Sequence, residues 1–118
     1  MKIAIPTDDI ITISKSLMGA LWLKVLTFES EYVTGETIMM NPRDGFEQNS
    51  STNFFRSLKK LLSDCDAIIL HENDPVDCKN SVCKHLQEVR TREKFIINAA
   101  IGYNARVVCY KSNRCCSP

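Results

Sequence analysis

Two short runs are apolar on both faces, Lys2–Pro6 (Lys-Ile-Ala-Ile-Pro) and Ala67–Leu70 (Ala-Ile-Ile-Leu). A strand built this way cannot keep one face in water, so it must lie between two covering layers. Between the runs, Phe54, Phe55, Leu58, Leu61 and Leu62 recur at i, i+1, i+4, i+7 and i+8, one apolar face of a helix. Lys59 and Lys60 take the wet side, and Ser51 or Thr52 can cap the start. Strand, helix and strand at this spacing imply a parallel pair joined by a right-handed crossover. The chain is of the α/β class.

The remaining pattern extends that frame. Leu21–Phe28 alternates, with Trp22, Lys24, Leu26 and Phe28 on one face and Leu21, Leu23, Val25 and Thr27 on the other. After Glu29-Ser30-Glu31 the chain returns through Tyr32–Met40, an antiparallel hairpin. Asn41 to Ser51, with Pro42, Gly45 and Asn49, reads as a surface loop. Asp74-Pro75 signals a second helix: Asp74 caps it, Pro75 suits its first position, and Asp77 faces its positive end. Val82, Cys83, Leu86 and Val89 form the predicted stripe of that helix, and Phe95–Ile97 is predicted as a third parallel strand. Ile101, Ala105, Val108 and Cys109 then keep helical spacing, although Gly102 and Val107-Val108 weaken a helix. The expectation is one domain over residues 1–111 and a flexible tail over 112–118. Its mixed five-stranded sheet has an antiparallel hairpin and helices on both faces.

Composition narrows the function. Lys and Arg number 15 against 14 Asp and Glu, so the basic excess expected of a nucleic-acid binder is missing. No apolar run approaches a membrane span, and Met1–Pro6 lacks the apolar core of an export signal. A cytoplasmic protein with reduced thiols is expected. Cys65 and Cys109 read as small core hydrophobes, while Cys115-Cys116 lie in a polar, oxidation-prone tail. Cys78 and Cys83 would sit about 140° apart on a helix and could not chelate one metal together. No Gly-x-Ser-x-Gly, phosphate loop or dinucleotide fingerprint occurs, and no enzymatic activity is expected.

The opening Met1-Lys2-Ile3-Ala4-Ile5-Pro6-Thr7-Asp8-Asp9, then Ile13-Ser14, Ala20-Leu21-Trp22-Leu23 and Leu62-Ser63-Asp64-Cys65-Asp66-Ala67-Ile68-Ile69, follow in an informative order. With the element order, they resemble the dinitrogenase iron–molybdenum cofactor biosynthesis family over roughly residues 1–98. The resemblance implies a ribonuclease H-like three-layer fold. It also implies a non-enzymatic carrier of iron–sulfur or iron–molybdenum cluster precursors, with cofactor-assembly proteins as partners. The family signature Ser-x-His-Phe-Gly is replaced here by Ser14-Lys15-Ser16-Leu17-Met18-Gly19, with Ser16 standing where the histidine would be. A hydroxyl cannot stand in for an imidazole lone pair on a soft metal. The family's glycine-rich turn after the fourth strand is likewise replaced, by His71-Glu72-Asn73-Asp74-Pro75.

The candidate cofactor-binding residues are therefore Ser14, Lys15, Ser16, Met18, Gly19, Glu72 and Asn73, with His71 as candidate metal ligand and Lys15 as the cation facing an anionic ligand. His85 reads as a solvated helix residue. Two other readings stand beside the carrier. One is an interaction module that kept the fold without metal. The other is a metal-dependent phosphodiesterase using Asp8, Asp9, Glu72 and Asp74. The carrier and phosphodiesterase readings need the loops after the first and fourth strands to meet at one rim.

Overall fold

The computed structural model describes residues 1–42, 51–76 and 85–111. In chain order the elements are β1 (Lys2–Thr7), β2 (Trp22–Glu29), β3 (Tyr32–Met40), α1 (Ser51–Leu61), β4 (Ala67–His71), β5 (Gln87–Thr91) and α2 (Ile96–Lys111). The five strands form one sheet in the order β3-β2-β1-β4-β5. β1 runs antiparallel to β2 and parallel to β4, β2 pairs antiparallel with β3, and β4 pairs parallel with β5.

Alternation along the central strands sorts the core into two layers. Ala4, Leu23, Val25, Ile68 and Leu70 join Phe54, Leu58 and Leu62 on the α1 side. Ile3, Ile5, Leu26, Phe28, Ala67 and Ile69 join Ile96, Ala99 and Ala100 on the α2 side. The doubly apolar runs that stood out in the sequence are thus the two innermost strands, covered on both faces. Cys65 packs in the α1-side core as expected, and burial pushes its thiol up to about 11, leaving it inert as a nucleophile.

Two predicted elements are corrected. Phe95–Ile97 is not a strand: Phe95 makes one isolated bridge with Thr12, and Ile96 opens α2. The fifth strand is Gln87–Thr91, where the sequence pattern predicts the end of a helix. Leu86 and Val89, three apart, mimic a helical stripe, yet Leu86 points to the α1 side and Val89 packs toward α2. The middle of that predicted helix, with Asp77, Cys78, Val82 and Cys83, lies outside the described residues, as do the 112–118 tail and most of the 41–51 loop. So does the side-chain capping assigned to Ser51 or Thr52. α2 buries Ile96, Ala99, Ala100 and Asn104, and not the predicted stripe of Ile101 and Ala105, which faces outward.

The hairpin turns through Ser30 and Glu31, with Glu29 opposite Tyr32, and Ser30 sits at φ 56°. Asn104 of α2 donates to the Ser30 carbonyl at 2.7 Å and pins the turn to the helix layer. A positive φ at the first of two loop residues is the place for glycine. Ser30→Gly is expected to stabilise the protein by about 0.5–1 kcal/mol, read as a higher melting temperature. An unchanged or lower value would show that the turn is not held in this conformation.

Candidate functional site

The loop after β1 is built by its own side chains. Thr7, fully buried at the end of the strand, donates to the Thr12 carbonyl at 2.6 Å and accepts the Ile10 amide at 2.9 Å. Asp9 accepts the Thr12 amide and hydroxyl, both at 2.7 Å, and the Ile11 amide at 3.0 Å. Those donors, Thr12 foremost, hold the Asp9 carboxyl down to about 2. The bonded carboxylate supports the loop above the ordinary aspartate range, and that support is lost only as pH falls through about 2. Ile10 sits at φ 71°, a conformation costing a β-branched residue about 1–2 kcal/mol, and Lys24 Nζ holds its carbonyl at 3.0 Å.

The next segment turns over the end of the sheet. The Ser14 amide donates to the Pro6 carbonyl at 2.9 Å, and Ser14 Oγ exchanges bonds with the amide and carbonyl of Ser16. Ser16 Oγ accepts the Gly19 amide at 3.1 Å. A Cβ on Gly19 would come within 3.3 Å of that same oxygen, so the turn is too close for a larger residue to enter without adjustment. Leu17 is fully buried, and its amide donates to Asp74 Oδ2 at 2.7 Å. Asn41 Nδ2 donates to the carbonyls of Leu17 and Ala20 at 2.7 and 2.8 Å, while its buried Oδ1 has no hydrogen-bond partner among the described residues.

The loop after β4 faces this turn. Asp74, 5% exposed, accepts the Leu17 amide on one oxygen and the Val76 amide, at 3.0 Å, on the other. The cap anticipated for a helix start thus caps a distant loop as well as its own turn. From β5, Arg90 donates to the carbonyls of His71 (3.3 Å), Asp74 (2.5 Å) and Val76, and its Nε reaches Glu88 at 2.8 Å. The loops after β1 and β4 therefore meet at one rim, at the carboxyl ends of adjacent parallel strands.

The individual candidates sit as follows. Ser14 and Ser16 shape the turn, Met18 packs against the α1-side core, and Lys15 and Gly19 are exposed. His71 ends β4, and its Nδ1 accepts the Asn73 amide at 3.0 Å. With Nδ1 an acceptor, a neutral ring carries its proton on Nε2 and presents a donor there. Ligating a metal through Nε2 requires the Asn73 bond to break. Glu72 turns away to Arg92 at 2.9 Å. The four carboxylates do not converge: Asp8 accepts the Leu21 amide at 3.0 Å, and Asp9, Glu72 and Asp74 are engaged as described. Among the described residues, no group of three or more His, Cys, Asp or Glu side chains is placed to hold a metal ion. His85 is exposed, as expected, but it lies in a turn and not on a helix, with Nε2 3.0 Å from the Leu62 carbonyl.

Sequence reasoning missed Arg90, Asn41 and Thr7. The signal for Arg90 was a period-two alternation in Gln87-Glu88-Val89-Arg90-Thr91. Thr7 is the last residue of β1 and Asn41 follows β3 directly, places where a polar side chain has backbone groups to satisfy.

No protein-family model matches the chain, and no curated protein matches it. Solved structures do. The crystal structure of PH0822 superposes with a TM-score of 0.64 at 15% identity, over 92% of this chain and 88% of that one. A protein provisionally named a dinitrogenase, MJ0327 of Methanocaldococcus jannaschii, superposes as a crystal structure with a TM-score of 0.60 at 17% identity, over 92% and 88% of the two chains. Its solution structure gives 0.61 at 15% identity, over 94% and 89%. What this chain shares with them at such identities is the fold, along nearly its whole length. Among the described residues, no helix is long and apolar enough to cross a membrane.

Proposed function

We propose that the chain is a non-enzymatic binding or carrier protein of the cofactor-assembly type. Its cargo is an iron–sulfur or iron–molybdenum cluster precursor, received at the rim between the Ser14–Gly19 turn and the His71–Asn73 loop. The observation that carries this reading is the bond from the Leu17 amide to Asp74, which holds the two loops together at the place where open α/β sheets receive ligands. The fold shared with MJ0327, and a strand order in keeping with a ribonuclease H-like sheet, support it. In the resting geometry the rim offers donors to the anionic surface of such a cargo: the His71 Nε2–H and, at the exposed turn, the Lys15 ammonium. Direct ligation by His71 follows only after its bond to Asn73 is released.

A second reading, an interaction module without metal, draws support from the engagement of Asp8, Asp9, Glu72 and Asp74 with protein groups. The same engagement leaves the phosphodiesterase reading without converging carboxylates.

Anaerobic reconstitution with iron and sulfide, followed by metal analysis and visible absorption, separates the first two. The carrier reading expects bound iron and a coloured protein, with His71→Ala retaining about fivefold less iron at unchanged circular dichroism (about 1 kcal/mol of lost interaction). A wild-type protein that stays colourless and iron-free under those conditions supports the interaction module instead. Equal iron retention in His71→Ala would remove His71 from the site.

A further inference from the structure

β5 and α2 face each other across a cavity of about 740 Å³, within the range of small-molecule sites. The helix is tied down elsewhere. Asn104, 3% exposed, holds it to the Ser30 carbonyl beside the hairpin, and Ala99 and Ala100 pack it over the sheet. β5 lies at the opposite edge of the sheet from β3 and is covered incompletely. Val89 packs toward α2 yet stays half-buried, and Gln87, two residues earlier on the same face, is exposed. From the helix, Tyr103, Arg106 and Val107 complete the wall. They stand at i, i+3 and i+4, so one flank of α2 presents all three.

This wall is apolar in part and polar in part. Val89, Val107 and the Tyr103 ring supply apolar contact. Burial foremost, with the charge of Asp66 behind it, raises the Tyr103 phenol above its ordinary value, so it stays a neutral O–H donor. Asp66 itself accepts the Lys2 amide at 2.9 Å and does not line the cavity. Among the described residues the Tyr103 hydroxyl has no hydrogen-bond partner, and the Arg106 guanidinium has neither a hydrogen bond nor an ion pair. The other two charged residues at the cavity, Glu88 and Arg90, pair with each other at 2.8 Å. The charge left uncompensated among the lining residues is therefore positive.

We propose that this cavity binds a small organic carboxylate with a flat apolar body. The planar fork of Arg106 matches a carboxylate through two parallel N–H bonds, and the Tyr103 hydroxyl donates a third. The body of the ligand lies against Val89 and Val107, with Gln87 at the mouth. One cation and one hydroxyl suit a single carboxylate, whereas a multiply charged phosphate ester would be left undercompensated as it lost its water. Neither Tyr103 nor Arg106 contributes to the bonds that build the Leu17–Asp74 rim, so this site stands or falls without the cluster.

The test is an amide NMR titration of the ¹⁵N-labelled, iron-free full chain with 3-phenylpropionate and with its neutral isostere 3-phenylpropionamide. The acid should shift the amides of Val89, Tyr103, Arg106 and Val107, with a dissociation constant on the order of 1 mM for a ligand of this size. The amide should bind about threefold to fivefold more weakly, since it forfeits a charged pair that solvent already screens at the exposed Arg106. Arg106→Gln should bind the acid more weakly by the same factor and treat the two ligands alike, at a melting temperature near that of the wild type. Tyr103→Phe should lose about twofold for the acid yet keep the preference for it. No shift up to about 20 mM acid, equal binding of acid and amide by the wild type, or a preference that survives in Arg106→Gln overturns the assignment. So do shifts confined to Glu88 and Arg90 while Arg106 and Val107 stay still, because they would mark a ligand added at the strand edge instead.

Discussion

Asp74→Ala is expected to cost about 3 kcal/mol of stability and to loosen the rim. The carboxylate is buried, and each oxygen serves a backbone amide that has no water to turn to: Leu17 is fully buried and Val76 is 7% exposed. Alanine removes both acceptors and leaves two donors unsatisfied, each worth about 1–3 kcal/mol, offset in part by no longer burying a carboxylate. Asp74→Asn keeps one oxygen but turns an NH₂ group toward the other amide, so it should recover less than half of the loss. Urea titration gives the magnitude, with the unfolding slope checking that the denatured state is unchanged. If Asp74→Ala unfolded at the same urea concentration as the wild type, the two loops would not be clamped by this residue, and the site built on that clamp would lose its footing. If the stability loss appears as expected, iron uptake should fall in the same variant.

Much of the sheet was legible because burial on two faces leaves an unambiguous trace. Ile3, Ala4 and Ile5, or Ala67 through Leu70, have no polar position to offer water, and the amphipathic Phe54–Leu62 face dictates which side α1 covers. The same logic explains the failures. β5 is an edge strand whose polar residues, Gln87, Glu88 and Arg90, are tolerated because that edge is partly wet, so apolar runs did not reveal it. α2 is apolar around much of its circumference, so no stripe declared which side meets the sheet. The spacing of Ile101 and Ala105 matched a helical face as well as Ile96, Ala99 and Ala100 did. The location of the rim could be read from strand ends. Its construction could not: Asp74 has the chemistry of a cap, but its partner lies 57 residues away, and no local pattern encodes that distance.

Arg90 carries the second large effect, because one guanidinium does what no local turn does. Its two terminal nitrogens gather the carbonyls of His71, Asp74 and Val76, and its Nε pairs with Glu88. A charged donor to a carbonyl is worth about 1.5–3 kcal/mol when buried. The side chain is 30% exposed, so solvent screens part of that. Arg90→Met, which keeps the length and the apolar stem, should therefore lose about 2–3 kcal/mol in urea titration. Arg90→Lys should rescue little, since a single ammonium cannot reach three divergent carbonyls and a carboxylate at once. Because Arg90 and Asp74 hold the same short loop, their effects should not add. The double variant should be less destabilised than the two losses together, by about 1 kcal/mol or more. Full recovery by lysine, or strict additivity with Asp74→Ala, would mean that β5 and the Leu17 turn grip the loop separately, and that the rim is not one mechanical unit.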